Sequence, residues 1–337
     1  MSDCLTYGPI LGIETSCDET AAAVVVNGCE VLSSVVSSQA DVHALYGGVV
    51  PEIAGRAHLE RIIPVVSRAI SEARISEHEI TAVAATVGPG LVGALLVGVS
   101  TAKALSLAWG VPFVAVNHLE AHLQATFLDE PDIELPVVVM LVSGGHTFLV
   151  FMEDRLRYKV LGTTVDDAAG EAFDKVARIL GLGYPGGPAI DRSSREGEAS
   201  AITFPRPMFT DGWNFSFSGL KTAVATYMRH HPGAVLEDVA ASFQEAVVDV
   251  IIAKALNAVS VYGAKGLCLT GGVAANSRLR EVARDLCEHK KVAVHLPSLA
   301  MCTDNAAMIA ATGWWRLKAD GPSPLTIGAE PSLPLVV

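Results

Sequence analysis

The sequence has few charges and few aromatic residues for its length, and its charges are mostly acidic. Charged residues make up 18% and aromatic residues 6% of the 337 residues, whereas hydrophobic residues make up 50%. This composition excludes a disordered chain, and the length favours two lobes over one core. Acidic side chains number 36 and basic ones 24, so the net charge of −12 disfavours a general nucleic-acid coat or a polybasic membrane binder. An RNA substrate stays open, because a local basic patch or a partner can supply the contacts.

Signals for secretion and for disulfide bonding are also missing. No basic segment precedes the apolar residues 9–13, and Glu14 interrupts them. The cysteines show no C-x-x-C spacing and are interpreted as reduced thiols of a cytoplasmic protein; they are Cys4, Cys17, Cys29, Cys268, Cys287 and Cys302.

Residues 81–117 carry Lys103 as their single charge, but Gly88-Pro89-Gly90 and Pro112 break this apolar run. We therefore predict a buried strand and a packed helix here, and no membrane contact.

Strands and helices alternate along the chain, which indicates an α/β fold. Residues 9–14 and 21–26 are predicted strands around the polar turn 15–20, and residues 137–142 and 148–152 are predicted strands around the turn 143–147. The recurrence of this unit after about 130 residues suggests a duplicated domain with a cleft between the copies. We assign residues 1–130 to an N-terminal lobe, completed by about 302–325, and residues 131–301 to a C-terminal lobe. A helix over 163–181 is predicted from a Thr164-x-x-Asp167 capping box.

Both turns are candidates for holding phosphate. The turn Ser143-Gly144-Gly145-His146-Thr147 combines glycines, which let backbone N–H groups approach a ligand, with hydroxyl donors. The first turn carries Asp18 and Glu19 in place of glycines. Either loop alone is also typical of an ordinary β-turn, but two matching loops in a repeated unit favour a binding role. No G-x-x-x-x-G-K-[ST] or early G-x-G-x-x-G motif is present, which argues against P-loop and Rossmann nucleotide sites.

Further candidate polar residues lie in the second half. Asn276 follows the pair Gly271-Gly272, where it suits either a ligand hydroxyl or a helix cap. Asp174 lies on one predicted helix face with Asp167, Glu171 and Arg178, a pattern that a solvated face also produces. The rigid segment 183–191 ends in Asp191, whose carboxylate suits the hydroxyl donors of a ribose. Residues 155–159 and 278–291 are basic and fit either an RNA backbone or plain solvated surfaces.

A candidate metal site begins with His118 and His122, which share one helix face at a spacing of i and i+4. Ten histidines make a chance pair plausible, so a third ligand is needed, and Asp304 ahead of an Ala-rich segment offers one. Two histidines and a carboxylate suit Fe²⁺ or another divalent ion with open positions. Glu120 is about 200° round the helix from His118, which disfavours a zinc protease.

Motifs along nearly the whole chain resemble the TsaD family of tRNA threonylcarbamoyladenosine transferases. The matching segments are residues 12–20 (GIETSCDET), 49–52 (VVPE), 88–91 (GPGL), 117–122 (NHLEAH), 142–147 (VSGGHT), 170–175 (GEAFDK), 184–188 (YPGGP), 215–221 (FSFSGLK), 271–276 (GGVAAN) and 302–305 (CTDN). Leu141 and His146 resemble the bacterial type; archaeal and eukaryotic relatives typically carry Tyr and Asn there, and the Tyr is a possible fourth ligand that this chain lacks.

The resemblance implies an actin/Hsp70/sugar-kinase-like fold of two repeated α/β lobes. It implies transfer of the threonylcarbamoyl group from L-threonylcarbamoyl-adenylate to N6 of adenosine 37 in tRNAs that read codons beginning with A, with release of AMP. One metal, Fe²⁺ or alternatively Zn²⁺, is expected on His118, His122 and Asp304. A TsaB-like paralogue and a TsaE-like ATPase are the expected partners. The implied adenylate-binding residues are Leu141, Val142, Ser143, Gly144, Gly145, Asp174, Gly187, Asp191 and Asn276.

Two other classes of protein stay open at this stage. One is a sugar kinase or carbamoyltransferase on the same fold, because fold does not set function. The other is a non-catalytic binding subunit, although such a chain is expected to have lost the metal ligands. No sequence feature identifies a general base, and Asp18 or Glu19 is our candidate for that role.

Overall fold

The computed structural model describes residues 8–335. The strands are β1 (Ile10–Glu14), β2 (Glu19–Val26), β3 (Glu30–Ser38), β4 (Ala82–Gly88), β5 (Phe113–Asn117), β6 (Val137–Val142), β7 (Thr147–Asp154), β8 (Arg157–Thr163), β9 (Gly266–Thr270) and β10 (Ala293–His295). The helices are α1 (Ala40–Ala44), α2 (Pro51–Ala73), α3 (Val92–Trp109), α4 (His118–Asp129), α5 (Ala169–Leu180), α6 (Gly186–Ser193), α7 (Ser218–His230), α8 (Leu236–Tyr262), α9 (Ser277–Lys290), α10 (Leu299–Cys302) and α11 (Ala306–Asp320).

The chain forms two compact units, each built on one five-stranded sheet. Within the described residues, unit 1 contains residues 8–132 and 303–335, and unit 2 contains Ile133–Cys302. The strand order is β3-β2-β1-β4-β5 in unit 1 and β8-β7-β6-β9-β10 in unit 2. In unit 1, β3, β2 and β1 pair antiparallel, and β4 and β5 run parallel to β1. In unit 2, β8, β7 and β6 pair antiparallel, and β9 and β10 run parallel to β6. The same order and the same strand directions confirm the predicted duplicated α/β fold.

In unit 1, small residues let helix α11 lie directly on the sheet. A Cβ atom added to Gly12 of β1 would collide with the backbone of α11 at Ala306 and Ala310, and one added to Gly313 of α11 would collide with Ala84 of β4. Asp304 lies two residues before this helix, next to its cap Asn305. The close approach of α11 therefore brings Asp304 to the end of the sheet from which α4 emerges.

The apolar run over residues 81–117 folds as β4, α3 and β5, and β4 is buried throughout. Among the described residues, a single helix, α3, has the length and the apolar composition that a membrane-spanning helix needs. It packs against β4 and against α2 within unit 1. A helix of small apolar residues that covers a sheet has the same length and composition, and the contacts of α3 fit that role.

Residues 322–335 form no helix or strand and lie along unit 1. Ser323 N–H donates to the Phe113 carbonyl at 2.9 Å, and Glu330 N–H donates to the Val87 carbonyl at 2.7 Å. The Asn117 amide also donates to the Pro334 carbonyl at 2.9 Å. The tail thus covers the ends of β4 and β5, next to the start of α4.

Two sequence predictions about local structure are wrong. Helix α5 begins at Ala169 and not at residue 163, because residue 163 is the last of β8, which pairs with β7, and residues 164–168 form a connection. The Thr164 hydroxyl donates to the Asp167 carbonyl, so it does not cap the helix. Glu19 also lies in strand β2 and not in the first turn. Five of the predicted free cysteines are free thiols, and Cys4 lies outside the described residues.

Candidate functional site

The start of helix α4 carries the two histidines of the predicted metal site. Asn117 ends β5 and caps α4, because its Oδ1 accepts from the backbone N–H groups of Leu119 at 2.9 Å and Glu120 at 3.3 Å. His118 therefore lies in the first turn, and His122 follows one turn later on the same face. Both are buried, at 7% and 0% exposed, so their rings have fixed positions in the protein interior.

Asp304 completes a group of three ligands within unit 1. Its Oδ1 lies 3.1 Å from Nε2 of His122 and 3.5 Å from Nε2 of His118. The ligand atoms of the three residues all lie within 4.8 Å of one another, so the group can hold a metal ion. The sequence prediction that Asp304 joins the histidine pair agrees with this placement.

The donor set fits a divalent transition metal. Two imidazole nitrogens and one carboxylate oxygen are ligands that Fe²⁺ and Zn²⁺ accept, and three protein ligands leave positions for substrate oxygens. Burial lowers the pKa of His118, but the carboxylates of Asp304 and Glu14 outweigh that effect and raise the pKa to about 9. In the absence of metal the ring therefore holds a proton, which a bound ion would replace.

Glu120 does not belong to this group of ligands. Its Oε2 accepts from Nε of Arg316 at 2.9 Å, and its Oε1 accepts from Nη2 of the same side chain. Glu120 is only 2% exposed, so this ion pair ties α4 to α11. The position of Glu120 removes the general base that a zinc protease of the H-E-x-x-H type uses.

Asp18 in the first turn and Glu19 at the start of β2 both lie in unit 1 and are partly buried. Burial, with the charges of Asp304 and Asp18, raises the pKa of Glu19 to about 9. Glu19 is therefore protonated at neutral pH in the metal-free protein. Burial likewise raises the pKa of the adjacent Cys17 thiol far above its usual value, which makes this cysteine a poor nucleophile.

The second turn lies in unit 2 between β6 and β7. Ser143 N–H donates to the His146 carbonyl at 2.8 Å, and the Ser143 hydroxyl accepts from His146 N–H at 3.2 Å. Gly144 and Gly145 are exposed, and a Cβ atom at either position would meet nothing within 4 Å. The side chains of Leu141 and Val142 are fully buried, so these two residues can offer a ligand only their backbone.

The remaining predicted adenylate residues lie in unit 2: Asp174 is in α5, Gly187 and Asp191 are in α6, and Asn276 lies at the start of α9. Asp174 Oδ1 accepts from Gly186 N–H at 2.7 Å, which places Gly187 beside it. Asp191 Oδ1 accepts from the backbone and the hydroxyl of Ser277 at 3.0 and 2.7 Å, and its Oδ2 accepts from Arg195 at 3.0 Å. These hydrogen bonds hold both carboxylates in fixed positions.

Asn276 caps helix α9. Its Oδ1 accepts from Leu279 N–H at 2.9 Å, and its Nδ2 donates to Gln244 Oε1 at 2.6 Å. The sequence allowed a helix cap or a ligand contact at this position, and the structure places Asn276 in the cap. A cap and a ligand contact are compatible, because the amide carries a second hydrogen.

The basic segment 278–291 offers fewer exposed basic side chains to an RNA than its sequence indicates. Arg278 donates two hydrogen bonds to Glu245, at 2.7 and 2.8 Å, and Arg280 donates to the carbonyls of Ala274, Leu296 and Pro297. Both side chains are therefore engaged within unit 2. Arg284, Lys290 and Lys291 are exposed.

The sequence analysis did not identify three residues that form hydrogen bonds or ion pairs with His118, Asn276 and Glu120. Glu14 accepts from His118, Gln244 accepts from Asn276, and Arg316 pairs with Glu120. Glu14 had a usable signal, since an acidic residue at the end of an apolar strand needs a buried partner. The other two lie in ordinary helical patterns, and their partners are distant in sequence.

Comparisons with known proteins identify close relatives over nearly the full length. A family model described as TsaD, tRNA N6-adenosine threonylcarbamoyltransferase, matches residues 30–311. A protein of that name from Geotalea uraniireducens is 54% identical over 97% of this chain and 96% of its own length. Another from Caldicellulosiruptor saccharolyticus is 51% identical over 97% of this chain and 98% of its own length.

Solved structures of lower identity share the fold. HypF from T. kodakarensis has a TM-score of 0.66 at 15% identity, covering 93% of this chain and 48% of that one. Component A of the (R)-2-hydroxyglutaryl-CoA dehydratase from Acidaminococcus fermentans has a TM-score of 0.56 at 14% identity, covering 93% and 100%. At these identities the likeness concerns the two-lobe α/β fold alone.

Proposed function

Because the chain belongs to the TsaD family of tRNA N6-adenosine threonylcarbamoyltransferases, we propose that it modifies adenosine 37 of tRNAs that read codons beginning with A. The donor in this proposal is L-threonylcarbamoyl-adenylate, and AMP is the leaving product. The observation that carries the proposal is the group of two buried histidines, His118 and His122, and the partly buried Asp304 in a chain more than 50% identical to named transferases. A sugar kinase does not need these ligands, and a non-catalytic subunit has no reason to keep them.

We assign the metal to this group, with Fe²⁺ as the ion and Zn²⁺ as the alternative. When bound, the ion supplies Lewis acidity toward the carbamoyl or phosphate oxygens of the donor. His118 and His122 each offer Nε2, and Asp304 offers a carboxylate oxygen that offsets part of the charge.

The adenylate is assigned to residues of unit 2. The exposed backbone of Gly144 and Gly145 can donate N–H groups to the phosphate, with the Ser143 hydroxyl beside them. Asp174, Asp191 and Asn276 are the candidates for ribose and base contacts, and Gly187 leaves open space beside Asp174. Leu141 and Val142 contribute backbone alone, since their side chains are buried.

The reaction is an acyl transfer from an activated donor. The adenine N6 attacks the carbamoyl carbon, the bond between that carbon and the phosphate oxygen breaks, and AMP carries away the charge. The N6 proton must be removed in the same process. Asp18 or Glu19 is the candidate for this base.

A TsaB-like paralogue and a TsaE-like ATPase are the proposed partners, in the cytoplasm. An apolar surface supports a protein partner: Leu59 and Ile63 of α2 and Val92 and Leu96 of α3 are each at least half exposed. The two helices pack closely at Gly55 and Gly93. We call these four side chains the α2–α3 face. An exposed apolar face of this kind is typical of a protein-binding site.

Reconstitution tests the proposed function. The chain is incubated with threonine, bicarbonate, ATP, tRNA, the two partner proteins and an adenylate-forming enzyme, and the tRNA nucleosides are measured by mass spectrometry. We expect threonylcarbamoyladenosine with the parent chain and almost none with His122→Ala. Equal product from both proteins would remove the metal group from the proposal, and no product from the parent would refute the function.

A further inference from the structure

Glu14 is a buried carboxylate that the proposed reaction does not use. It ends strand β1, whose residues are all buried, and its side chain is 0% exposed. A carboxylate in this position is costly unless hydrogen bonds and an opposite charge offset the loss of water. Such a residue is expected to have a specific task.

Both oxygens of Glu14 are engaged. Oε1 accepts from the backbone N–H of Ser16 at 2.5 Å. Oε2 accepts from the Thr86 hydroxyl at 2.7 Å and from Nδ1 of His118 at 2.8 Å. Three donors converge on these two oxygens, which is the arrangement of an ionised carboxylate that only accepts. The two oxygens cannot exchange places without losing partners.

The contact determines which nitrogen of His118 is available to a metal. An ionised carboxylate can only accept hydrogen bonds, so Nδ1 of His118 must carry the hydrogen. The neutral ring then has its lone pair on Nε2, which lies 3.5 Å from Asp304 Oδ1. A carboxylate behind a ligating histidine fixes the tautomer and the ring orientation, and it makes the ligand more basic.

We propose that Glu14 is the positioning residue of the metal centre, acting through His118. This inference rests on the proposed metal site and adds a residue to it. Ser16 and Thr86 hold the carboxylate from two sides, and Glu14 in turn holds the imidazole. The ring orientation is thus built into strands β1 and β4 before any ion binds.

Glu14→Gln removes this arrangement without changing the size of the side chain. If the new amide NH₂ faces Ser16, two N–H donors oppose each other. If the NH₂ faces His118, then Nδ1 must accept and the ring hydrogen moves to Nε2, the atom that the metal needs. Neither orientation reproduces the parent contacts, so we expect metal affinity to fall about 10–100-fold.

Cobalt binding to the purified, metal-free full-length chain tests the inference. Co²⁺ is added stepwise and its visible absorption gives the dissociation constant and the ligand geometry. Zn²⁺-loaded protein with ¹⁵N-labelled histidine shows by NMR which ring nitrogen of His118 carries hydrogen. Thr86→Val is the milder variant, since it removes one partner of Glu14 and leaves the contact with His118. Glu245→Gln is the matched control, because it neutralises a hydrogen-bonded carboxylate of unit 2.

We expect Glu14→Gln to bind Co²⁺ about 10–100-fold more weakly, Thr86→Val to show a smaller loss, and Glu245→Gln to match the parent. The parent is expected to show hydrogen on Nδ1 of His118. Parent-like affinity in Glu14→Gln, or hydrogen on Nε2 in the parent, would overturn the inference. If Glu14→Gln does not fold, Thr86→Val decides: weaker binding supports the inference, and unchanged binding refutes it. A parent chain that binds no Co²⁺ would refute the metal site itself, and the inference with it.

Discussion

His122 Nε2 lies 3.1 Å from Asp304 Oδ1, although the two residues are 182 positions apart in the sequence. The contact joins α4 to the segment that leads into α11. Removing either residue removes one of three ligands, so we expect His122→Ala and Asp304→Ala to lose bound metal and transferase activity together. Metal content of the purified variants measures this. Asp320→Ala, at an exposed carboxylate of α11, is the control and should keep its metal; full metal in both ligand variants would contradict the assignment.

Asp174 and Asn276 provide the test of the nucleotide site. We expect Asp174→Ala and Asn276→Ala to weaken binding of a non-hydrolysable adenylate analogue by about 1–3 kcal/mol each, the range for hydrogen bonds lost from a cleft. Asn276→Ala also removes a helix cap, which costs about 1 kcal/mol of stability. Calorimetry gives the affinity and thermal melting gives the stability.

The cap at Ser76 separates the two effects on nucleotide binding. Ser76 caps the short 3-10 helix Glu77–Glu79 in unit 1, where its hydroxyl accepts from His78 N–H, so Ser76→Ala should lower the melting temperature slightly and leave the affinity for the adenylate analogue unchanged. If Asn276→Ala behaves in the same way, its role is structural and the nucleotide assignment loses that residue.

The ion pair of Glu245 and Arg278 predicts a pH dependence of stability. The two hydrogen bonds from Arg278 lower the pKa of Glu245, against the effect of burial. A carboxyl group whose pKa is lowered by folding stabilises the protein above its unfolded-state value of about 4.5, and that contribution disappears as the pH falls through the folded-state pKa. Glu245→Gln should therefore melt earlier than the parent at pH 7 and converge with it at low pH.

Melting curves between pH 7 and pH 3 measure this dependence. Glu281→Gln, which removes the more exposed partner of Arg278, should differ little from the parent at any pH. A constant gap between Glu245→Gln and the parent across the whole range would show that the pKa of Glu245 is not shifted by folding.

The net charge of −12 predicts that the chain alone binds tRNA weakly and that binding tightens when its protein partners are present. Arg284, Lys290 and Lys291 are exposed and form one candidate contact with the tRNA backbone. If they serve this purpose, alanine at each should reduce the salt dependence of binding by about one phosphate contact. Affinity is measured against salt, with and without the partners. Tight, salt-insensitive binding by the chain alone would contradict the prediction, and unchanged slopes in the variants would place the tRNA elsewhere.

The sequence was sufficient for features that depend on local pattern. Alternating hydrophobic runs and glycine turns located β1, β6, β9 and the two turns, and the duplication followed from their recurrence. The spacing of His118 and His122 predicted a shared helix face, which α4 provides. Long-range partners were out of reach of such patterns. Thr164 resembles a helix cap in sequence, yet it directly follows β8 and its N–H donates to the Thr147 carbonyl, so the helix begins only at Ala169.

In the candidate site, too, local patterns were predictable from the sequence and long-range contacts were not. The ligand types were readable from the sequence, but the residues that hold them were not. Glu14 is 104 positions from His118, and Arg316 is 196 positions from Glu120. Helix α11 brings the second pair together by lying on a sheet with glycine and alanine at the contact, a relationship that exists only in the folded chain.

The most direct measurement is a transfer assay in which the chain receives the donor as a synthetic compound. Synthetic L-threonylcarbamoyl-adenylate, ¹³C-labelled in the carbamoyl carbon, is incubated with the chain, its TsaB-like partner and tRNA that carries either adenosine or guanosine at position 37. We expect labelled threonylcarbamoyl on adenosine 37, one AMP released for each modified tRNA, and no modification of the guanosine tRNA. Label that remains on the adenylate, or AMP released without label on the tRNA, would contradict it.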